Sequence, residues 1–207
     1  MTKTFTLDNY LKDDSRFKIG LEFERTDEEI KEEIEDSENP VSPLNAIFFG
    51  YTLIGINGQY PLGNSKEGKE RYAIDSHPLV HFDSLITTLE DKLTPEPDYD
   101  YFLENAKSLF FDFPKDDEKK YRFYDCYQIG RDTGVGLNLA IISPDEEDIS
   151  LIWYDSKIND ICHDEVSKDV FKKKIVDLTK KIDSYFKKLN VDKLGTYQRL
   201  VYLSKQN

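Results

Sequence analysis

Two histidines spaced four residues apart are the first candidates for metal chemistry in this sequence. On a helix, His77 and His81 would present both imidazoles on one face, with Asp75 and Asp83 close by. Histidine and carboxylate side chains are common zinc ligands. Pro78 lies between the histidines and disfavours a regular helix across the pair. We therefore expect a surface loop here and no metal site.

Two further groups have residue types that occur in functional sites. Cys162 and His163 are adjacent, so on regular structure their side chains point in different directions. We expect a packed thiol beside an exposed imidazole.

The acidic run at residues 145–148 could attract a divalent cation, since hard cations take carboxylate oxygens. It lacks the spaced acids and central glycine of an EF-hand loop, so we expect a solvated turn.

Residues 130–136 contain three glycines and superficially match a phosphate-binding loop. The segment is predicted to run from strand to strand without a helix N-terminus, and it lacks the Lys-Ser/Thr ending of such loops. A β-turn is expected instead.

No Gly-x-Ser-x-Gly or His-Glu-x-x-His signature is present, and no spacing singles out a catalytic carboxylate pair. We expect no enzyme activity, no catalytic residue and no cofactor.

The charge of the chain is large and uneven. The 207 residues carry a formal net charge of −13, which opposes binding to nucleic acid and to anionic membrane surfaces. Residues 168–193 hold nine lysines against four acids, and residues 13–38 hold twelve acids against four bases. Two interpretations of the acidic excess stay open. It keeps a monomer or weak homo-oligomer soluble, or it steers a basic partner into contact.

The location of the protein is also predicted from composition. The longest apolar stretches, residues 46–56 and 137–142, are shorter than the roughly 20 residues that span a bilayer. The first residues lack the continuous apolar segment of a secretory signal. Cys126 and Cys162 are therefore expected to remain reduced thiols. A cytoplasmic protein without a membrane span is expected.

Periodicity predicts an α+β fold in one domain over residues 1–207. Thr26 and Glu29 form a capping-box pattern ahead of a helix at residues 27–36. Asn57 and Gly58 form a tight-turn dipeptide after a buried strand. The remaining predicted elements are a short helix or coil at 7–11, strands at 17–23, 46–56 and 71–75, helices at 82–93 and 99–111, an antiparallel meander at 121–129, 136–142 and 149–154, a long amphipathic helix from 171 to 189, and an edge strand or docked tail at 197–203.

The C-terminal half resembles the SUKH superfamily. The resemblance is carried by the strand ending at Tyr127-Gln-Ile-Gly130, the turn at residues 132–136, the apolar strand at 137–142, the step Ile149-Ser-Leu-Ile-Trp153-Tyr-Asp155 and the closing helix. In the first half only Asn57-Gly58-Gln59 is similar to the family pattern. The resemblance implies an α+β protein that commonly serves bacteria as an immunity protein, which binds and blocks a polymorphic toxin.

We therefore expect an intracellular immunity protein that binds a cognate basic toxin through an acidic surface containing aromatic residues. Trp153 is a further candidate anchor, although sheet packing is the favoured role for this residue. One alternative is a regulatory or scaffold adaptor of the same superfamily, using the basic C-terminal helix to contact an acidic partner. The other is an unrecognised hydrolase. The expected interface residues are Glu28, Glu32, Asp36, Tyr51, Asn57, Tyr60, Asp145, Glu146 and Glu147.

Overall fold

The strands form two antiparallel sheets. The structure is a computed structural model that describes residues 3–36, 48–63, 67–91, 94–111, 127–129, 139–155 and 157–190. The first sheet has the order β1-β2-β3 and the second has the order β4-β5-β6-β7. The elements in chain order are α1 (Leu7–Leu11), β1 (Phe17–Phe23), α2 (Asp27–Asp36), β2 (Gly50–Ile56), a 3-10 turn (Lys69–Arg71), β3 (Ala73–Ser76), α3 (Pro78–Asp91), α4 (Tyr99–Phe111), β4 (Tyr127–Ile129), β5 (Leu139–Ile142), β6 (Asp148–Asp155), β7 (Asp160–Ser167) and α5 (Lys168–Leu189). The predicted α+β class is confirmed.

Both faces of the first sheet are covered, one by the main core and the other by a smaller cluster. Because successive side chains of a strand alternate between faces, Phe17, Ile19, Leu21 and Phe23 of β1 enter the main core. The opposite face is covered by α1, whose Tyr10 ring lies against Gly20; a Cβ at this position would be 2.4 Å from the ring. The glycine thus permits α1 to pack directly on the sheet.

The second sheet contains the predicted meander and one strand that was not predicted. β4, β5 and β6 pair antiparallel in sequence order, as expected, and β6 then pairs along its whole length with β7. β7 contains three acidic residues, and Ile161 and Val166 are its only β-branched residues, so it lacks a run of strand-forming residues. Cys162 and His163 lie on this strand; Cys162 packs partly against the core and His163 is exposed.

Helix α5 joins the two sheets through one core. Its apolar stripe, which includes Phe171, Ile175 and Ile182, belongs to the same buried cluster as side chains from both sheets. Ser167 caps the helix, its Oγ accepting a hydrogen bond from the amide of Val170, and Asn190 ends the helix in the left-handed conformation. The long amphipathic helix predicted across the sheets is present with the expected face buried. On the far side of the second sheet, α4 packs its own cluster around Phe102.

The loop predicted around the two histidines is wrong. Pro78 is the first residue of α3, where proline is tolerated because the first amide of a helix has no intrahelical partner. His81 therefore lies inside the helix, is 4% exposed, and has Nδ1 3.2 Å from Thr52 Oγ1. Within the described ranges, no group of three or more His, Cys, Asp or Glu side chains could hold a metal ion.

Some predictions fall outside the described residues. These are residues 46–47 of the strand predicted at 46–56, residues 121–126 and 136–138 of the predicted meander, the turn at 130–136, Cys126, and the segment at 197–203. None of the helices in the described ranges combines the length and the apolar character that crossing a bilayer requires.

Candidate interaction surface

Helix α2 presents the predicted acidic surface. Its capping box is formed as expected: the Thr26 amide donates to Glu29 Oε2 over 2.8 Å, and the Glu29 amide donates to Thr26 Oγ over 3.3 Å. The bonds that the Thr26 amide and hydroxyl donate to the Glu29 carboxylate, over 2.8 and 2.9 Å, hold the pKa of this carboxyl below its usual value. Ile30 is the one residue of α2 that is fully buried. The helix therefore has one fully buried position, and its acidic face is directed toward water.

The acids of α2 differ in how far nearby cations neutralise them. Glu33 pairs with Arg25 over 3.2 Å, and Glu35 pairs with Lys31 over 3.7 Å. In the part of the chain that the structure describes, no cation lies within ion-pair distance of Glu32 or Asp36, and both side chains are exposed. Unneutralised carboxylates are the groups that project a field toward a basic partner.

The base of α2 is anchored to two other segments by Asp27. Its Oδ1 accepts hydrogen bonds from the Thr4 amide over 3.1 Å and from the Tyr185 hydroxyl over 2.9 Å. Its Oδ2 accepts a hydrogen bond from Thr4 Oγ over 2.6 Å. Burial and the bond to Asp27 raise the pKa of Tyr185 far above its ordinary value. The acidic helix is thus held in one orientation relative to α5.

The predicted acidic run at residues 145–148 is a structured turn. Asp145 Oδ1 accepts hydrogen bonds from the amides of Glu147 and Asp148, both over 2.8 Å. These two bonds lower the pKa of Asp145. Lys168 Nζ donates to the Asp145 carbonyl over 2.7 Å, while Glu146 and Glu147 are exposed. Asp145 therefore uses its carboxylate to shape the turn, as expected for a solvated turn.

The acids of α2 and of the 145–148 turn do not form one surface. The turn contacts Lys168 at the first residue of α5, whereas α2 contacts Tyr185 near the last turn of the same helix. At 1.5 Å per residue, these two positions are about 26 Å apart along the helix axis. The predicted acids therefore form two groups, with Glu28, Glu32 and Asp36 on α2 and Asp145, Glu146 and Glu147 in the turn.

Asn57 lies where the two sheets meet. It and Gly58 both have positive φ, 49° and 78°, as a tight hairpin turn requires. The Asn57 side chain donates to the Asp164 carboxylate of β7, which also pairs with Arg16 over 3.5 Å. The Asn57 amide donates to the Arg16 carbonyl over 2.8 Å. The side chain predicted for an interface is therefore engaged within the protein.

Tyr51 and Tyr60 are brought together on the outer face of the first sheet. Both pack against a small buried cluster formed by Leu7, Leu53 and Ala73. Lys69 Nζ is 5.2 Å from the centre of the Tyr51 ring, and the Tyr60 ring meets that of Tyr72 edge to face at 4.9 Å. The neighbours of these two tyrosines therefore include cations as well as aromatic rings.

A cleft of about 350 Å³, which we call the hairpin cleft, opens where the β2–β3 connection meets the β6–β7 hairpin. Trp153 lines the cleft but is only 3% exposed. This residue, a candidate interface anchor, is therefore packed in the core. Ile158 is 62% exposed. Burial, together with Asp155 and Asp160, raises the pKa of the Cys162 thiol, so the thiol stays protonated at neutral pH. The lining residues are Gly58, Gln59, Tyr60, Gly63, Arg71, Tyr72, Trp153, Asp155, Lys157, Ile158 and Cys162.

The sequence did not predict the hairpin cleft. Of its lining residues, only Tyr60 and Trp153 were candidates for an interface. Arg71, Tyr72 and Ile158 have side chains of the kinds that anchor interfaces, but no local pattern marks them. They come from two hairpins that are far apart in sequence, and the cleft forms only where the two sheets meet.

No protein-family model, curated protein or solved structure matches this chain.

Proposed function

We propose that this protein is an intracellular immunity protein that binds and neutralises a cognate toxin of basic charge, and that α2 makes the first contact. The observation that carries the proposal is the pair of exposed carboxylates of Glu32 and Asp36 on a helix that is anchored at its base. The SUKH resemblance of the C-terminal half supplies the immunity role. Binding of this kind requires no catalytic residue.

An acidic helix supports such a role through its effect on association. Complementary charge raises the rate at which two proteins meet in the correct orientation and disfavours partners of like charge. Fixing the helix through Asp27 means that little backbone freedom is lost when the partner docks. Because Asn57 and Asp145 use their side chains inside the protein, the proposed contact is centred on Glu28, Glu32 and Asp36.

Charge reversal on α2 tests this placement. The variant Glu28→Lys/Glu32→Lys/Asp36→Lys should associate with the toxin encoded beside its own gene at least about tenfold more slowly at low salt. It should also lose protection of cells that express the toxin. Binding kinetics measured over a range of salt concentrations would show whether the loss lies in the association rate.

A control with the same total charge change is available. The variant Glu104→Lys/Glu146→Lys/Glu147→Lys alters three exposed acids on α4 and the 145–148 turn. It should keep the association rate within about twofold of the wild type. Equal losses in both triple variants would show that total charge, rather than α2, governs binding. Unchanged protection in the α2 variant would reject the proposed contact.

The adaptor function is a second candidate, favoured by the exposed lysines of α5. Lys173 and Lys180 are exposed, and within the described residues no carboxylate lies at ion-pair distance from either, whereas Lys187 pairs with Asp183 over 2.7 Å. An adaptor that uses this helix should lose its acidic partner when Lys173, Lys180 and Lys187 are replaced by Gln. The immunity protein should retain its toxin in the same variant.

A further inference from the structure

A second cavity, which we call the lysine cavity, lies between the N-terminal segment with α1 and the C-terminal half of α5. Its volume is about 470 Å³, which is within the range of small-molecule sites. It is built from side chains about 170 residues apart in sequence, so no local pattern indicates it. The lining residues are Thr4, Phe5, Asn9, Tyr10, Asp13, Lys180, Lys181, Ser184, Tyr185 and Lys188.

The lysine cavity has an excess of positive charge in a protein whose net charge is −13. Lys180, Lys181 and Lys188 contribute ammonium groups, and Asp13 is the one carboxylate among the lining residues. Asp13 is already paired with Lys174 over 3.1 Å. Within the described parts of the chain, no carboxylate is at ion-pair distance from the three lining lysines. Their charge is available to a ligand.

Of the six other lining residues, three are aromatic and three are small polar residues. Phe5 and Tyr185 are buried and Tyr10 is half-buried, and the Phe5 ring meets the Tyr185 ring edge to face at 5.2 Å. Lys181 Nζ is 5.7 Å from the centre of the Tyr10 ring. Aromatic surface with a few charged groups is the usual composition of a pocket for a small organic ligand, because the apolar part supplies affinity and the polar groups set orientation.

We propose that the lysine cavity binds a small anion with a planar aromatic body. The body would pack against Phe5, Tyr10 and Tyr185, and the negatively charged group would face Lys180 and Lys188. Ammonium groups bind phosphate, sulfonate and carboxylate through charge-assisted hydrogen bonds. An acidic polypeptide is less suited to this cavity, because the acidic remainder of the protein repels a polyanion over a wide surface. The lining residues Thr4 and Tyr185 bond Asp27 at the start of α2, so this site adjoins the proposed toxin contact but shares none of its residues Glu28, Glu32 and Asp36.

Fluorescence titration with 8-anilinonaphthalene-1-sulfonate tests the proposal, since this probe is an aromatic anion. Its uncharged analogue N-phenyl-1-naphthylamine has the same aromatic body, and polyglutamate represents an acidic polypeptide. We expect the sulfonate to bind at least about tenfold more tightly than the uncharged analogue. The variant Lys180→Glu/Lys188→Glu should weaken sulfonate binding by about tenfold or more and leave binding of the uncharged analogue within about twofold.

The control variant is Lys172→Glu/Lys173→Glu, which makes the same charge change on exposed residues of α5 that do not line the cavity. It should bind the sulfonate within about twofold of the wild type. Near-ultraviolet circular dichroism on each variant excludes probe binding to a loosened core. Three results would overturn the proposal: equal binding of the charged and uncharged probes, equal losses in the two double variants, or displacement of the sulfonate by low concentrations of polyglutamate.

Discussion

Tyr185 of α5 donates its phenolic hydrogen to Asp27 of α2, with 2.9 Å between the two oxygens. The residues are 158 positions apart in sequence, and the bond joins the basic helix to the first turn of the acidic helix. The Tyr185 ring also packs edge to face on Phe5 and stacks on Phe23 at 6.0 Å. A single side chain therefore connects the N-terminal segment, β1 and both charged helices.

Removing this hydroxyl should destabilise the protein without altering its packing. Tyr185→Phe is expected to lower the free energy of unfolding by about 1 kcal/mol, since Asp27 keeps its two bonds from Thr4. Urea unfolding at neutral pH measures the change. Ser184→Ala, on the exposed side of the same turn, is the control and should cost less than about 0.5 kcal/mol. Equal stability of Tyr185→Phe and the wild type would show that the bond is not formed in solution.

Glu22 is a buried carboxylate on which stability should depend. It is 4% exposed, accepts the Leu7 amide over 2.8 Å, contacts Lys69 Nζ, and has Lys3 Nζ at 3.7 Å. Glu22→Gln should cost about 2 kcal/mol, because a neutral amide cannot compensate the charge of the two lysines. Thermal and urea unfolding both measure this cost. Glu24→Gln, at an exposed position two residues away, should leave stability within about 0.5 kcal/mol.

The contact between Gly20 and Tyr10 predicts a specific coupling. A Cβ at Gly20 would overlap the Tyr10 ring, so Gly20→Ala should lower the free energy of unfolding by about 2 kcal/mol through displacement of α1. In a Tyr10→Ala background the same substitution should cost at least about 1 kcal/mol less. A Tyr101→Ala background, on α4, should leave the cost of Gly20→Ala unchanged. Additive effects of the Gly20 and Tyr10 substitutions would contradict the packing of α1 on β1.

The ion pair of Asp13 and Lys174 should make stability depend on acid pH. Burial raises the pKa of Asp13, but hydrogen bonds from Ser15 and the charge of Lys174 more than offset this effect and hold the pKa at about 2. Because the pKa in the folded protein is below the ordinary value of 3.8, the stabilisation is present above pH ~4 and is lost as the pH falls toward 2.

Replacement of Asp13 by Asn measures this contribution. The Asp13 side chain is 38% exposed, so solvent screening limits the expected loss to about 1 kcal/mol at pH 7. The difference from the wild type should shrink toward zero as urea unfolding is repeated between pH 4 and pH 2. Asp14→Asn, at the exposed neighbouring position, should show no such trend. A difference that stays constant down to pH 2 would mean that the pair does not contribute through ionisation.

Features encoded by neighbouring residues were predicted from the sequence. The Thr26 and Glu29 capping box, the turn at Asn57-Gly58 and the buried stripe of α5 are formed as expected. Each depends on residues within a few positions of one another, where backbone geometry limits the arrangements. The α+β class followed from these elements. The resemblance to the SUKH superfamily and the toxin partner stay predictions.

Where an element or a site depends on distant partners, the sequence was less informative. β7 has few strand-forming residues and exists because all of β6 pairs with it. Pro78 was expected to prevent a helix around the two histidines, but it is the first residue of α3. The hairpin cleft and the lysine cavity are each made by segments that meet only after the sheets and α5 have packed. By itself, the sequence determined most of the helices and strands and which of their faces are apolar, because these depend on local periodicity. Only the tertiary structure decided which charged and aromatic side chains meet, because burying the apolar faces in one core determines how the segments are placed.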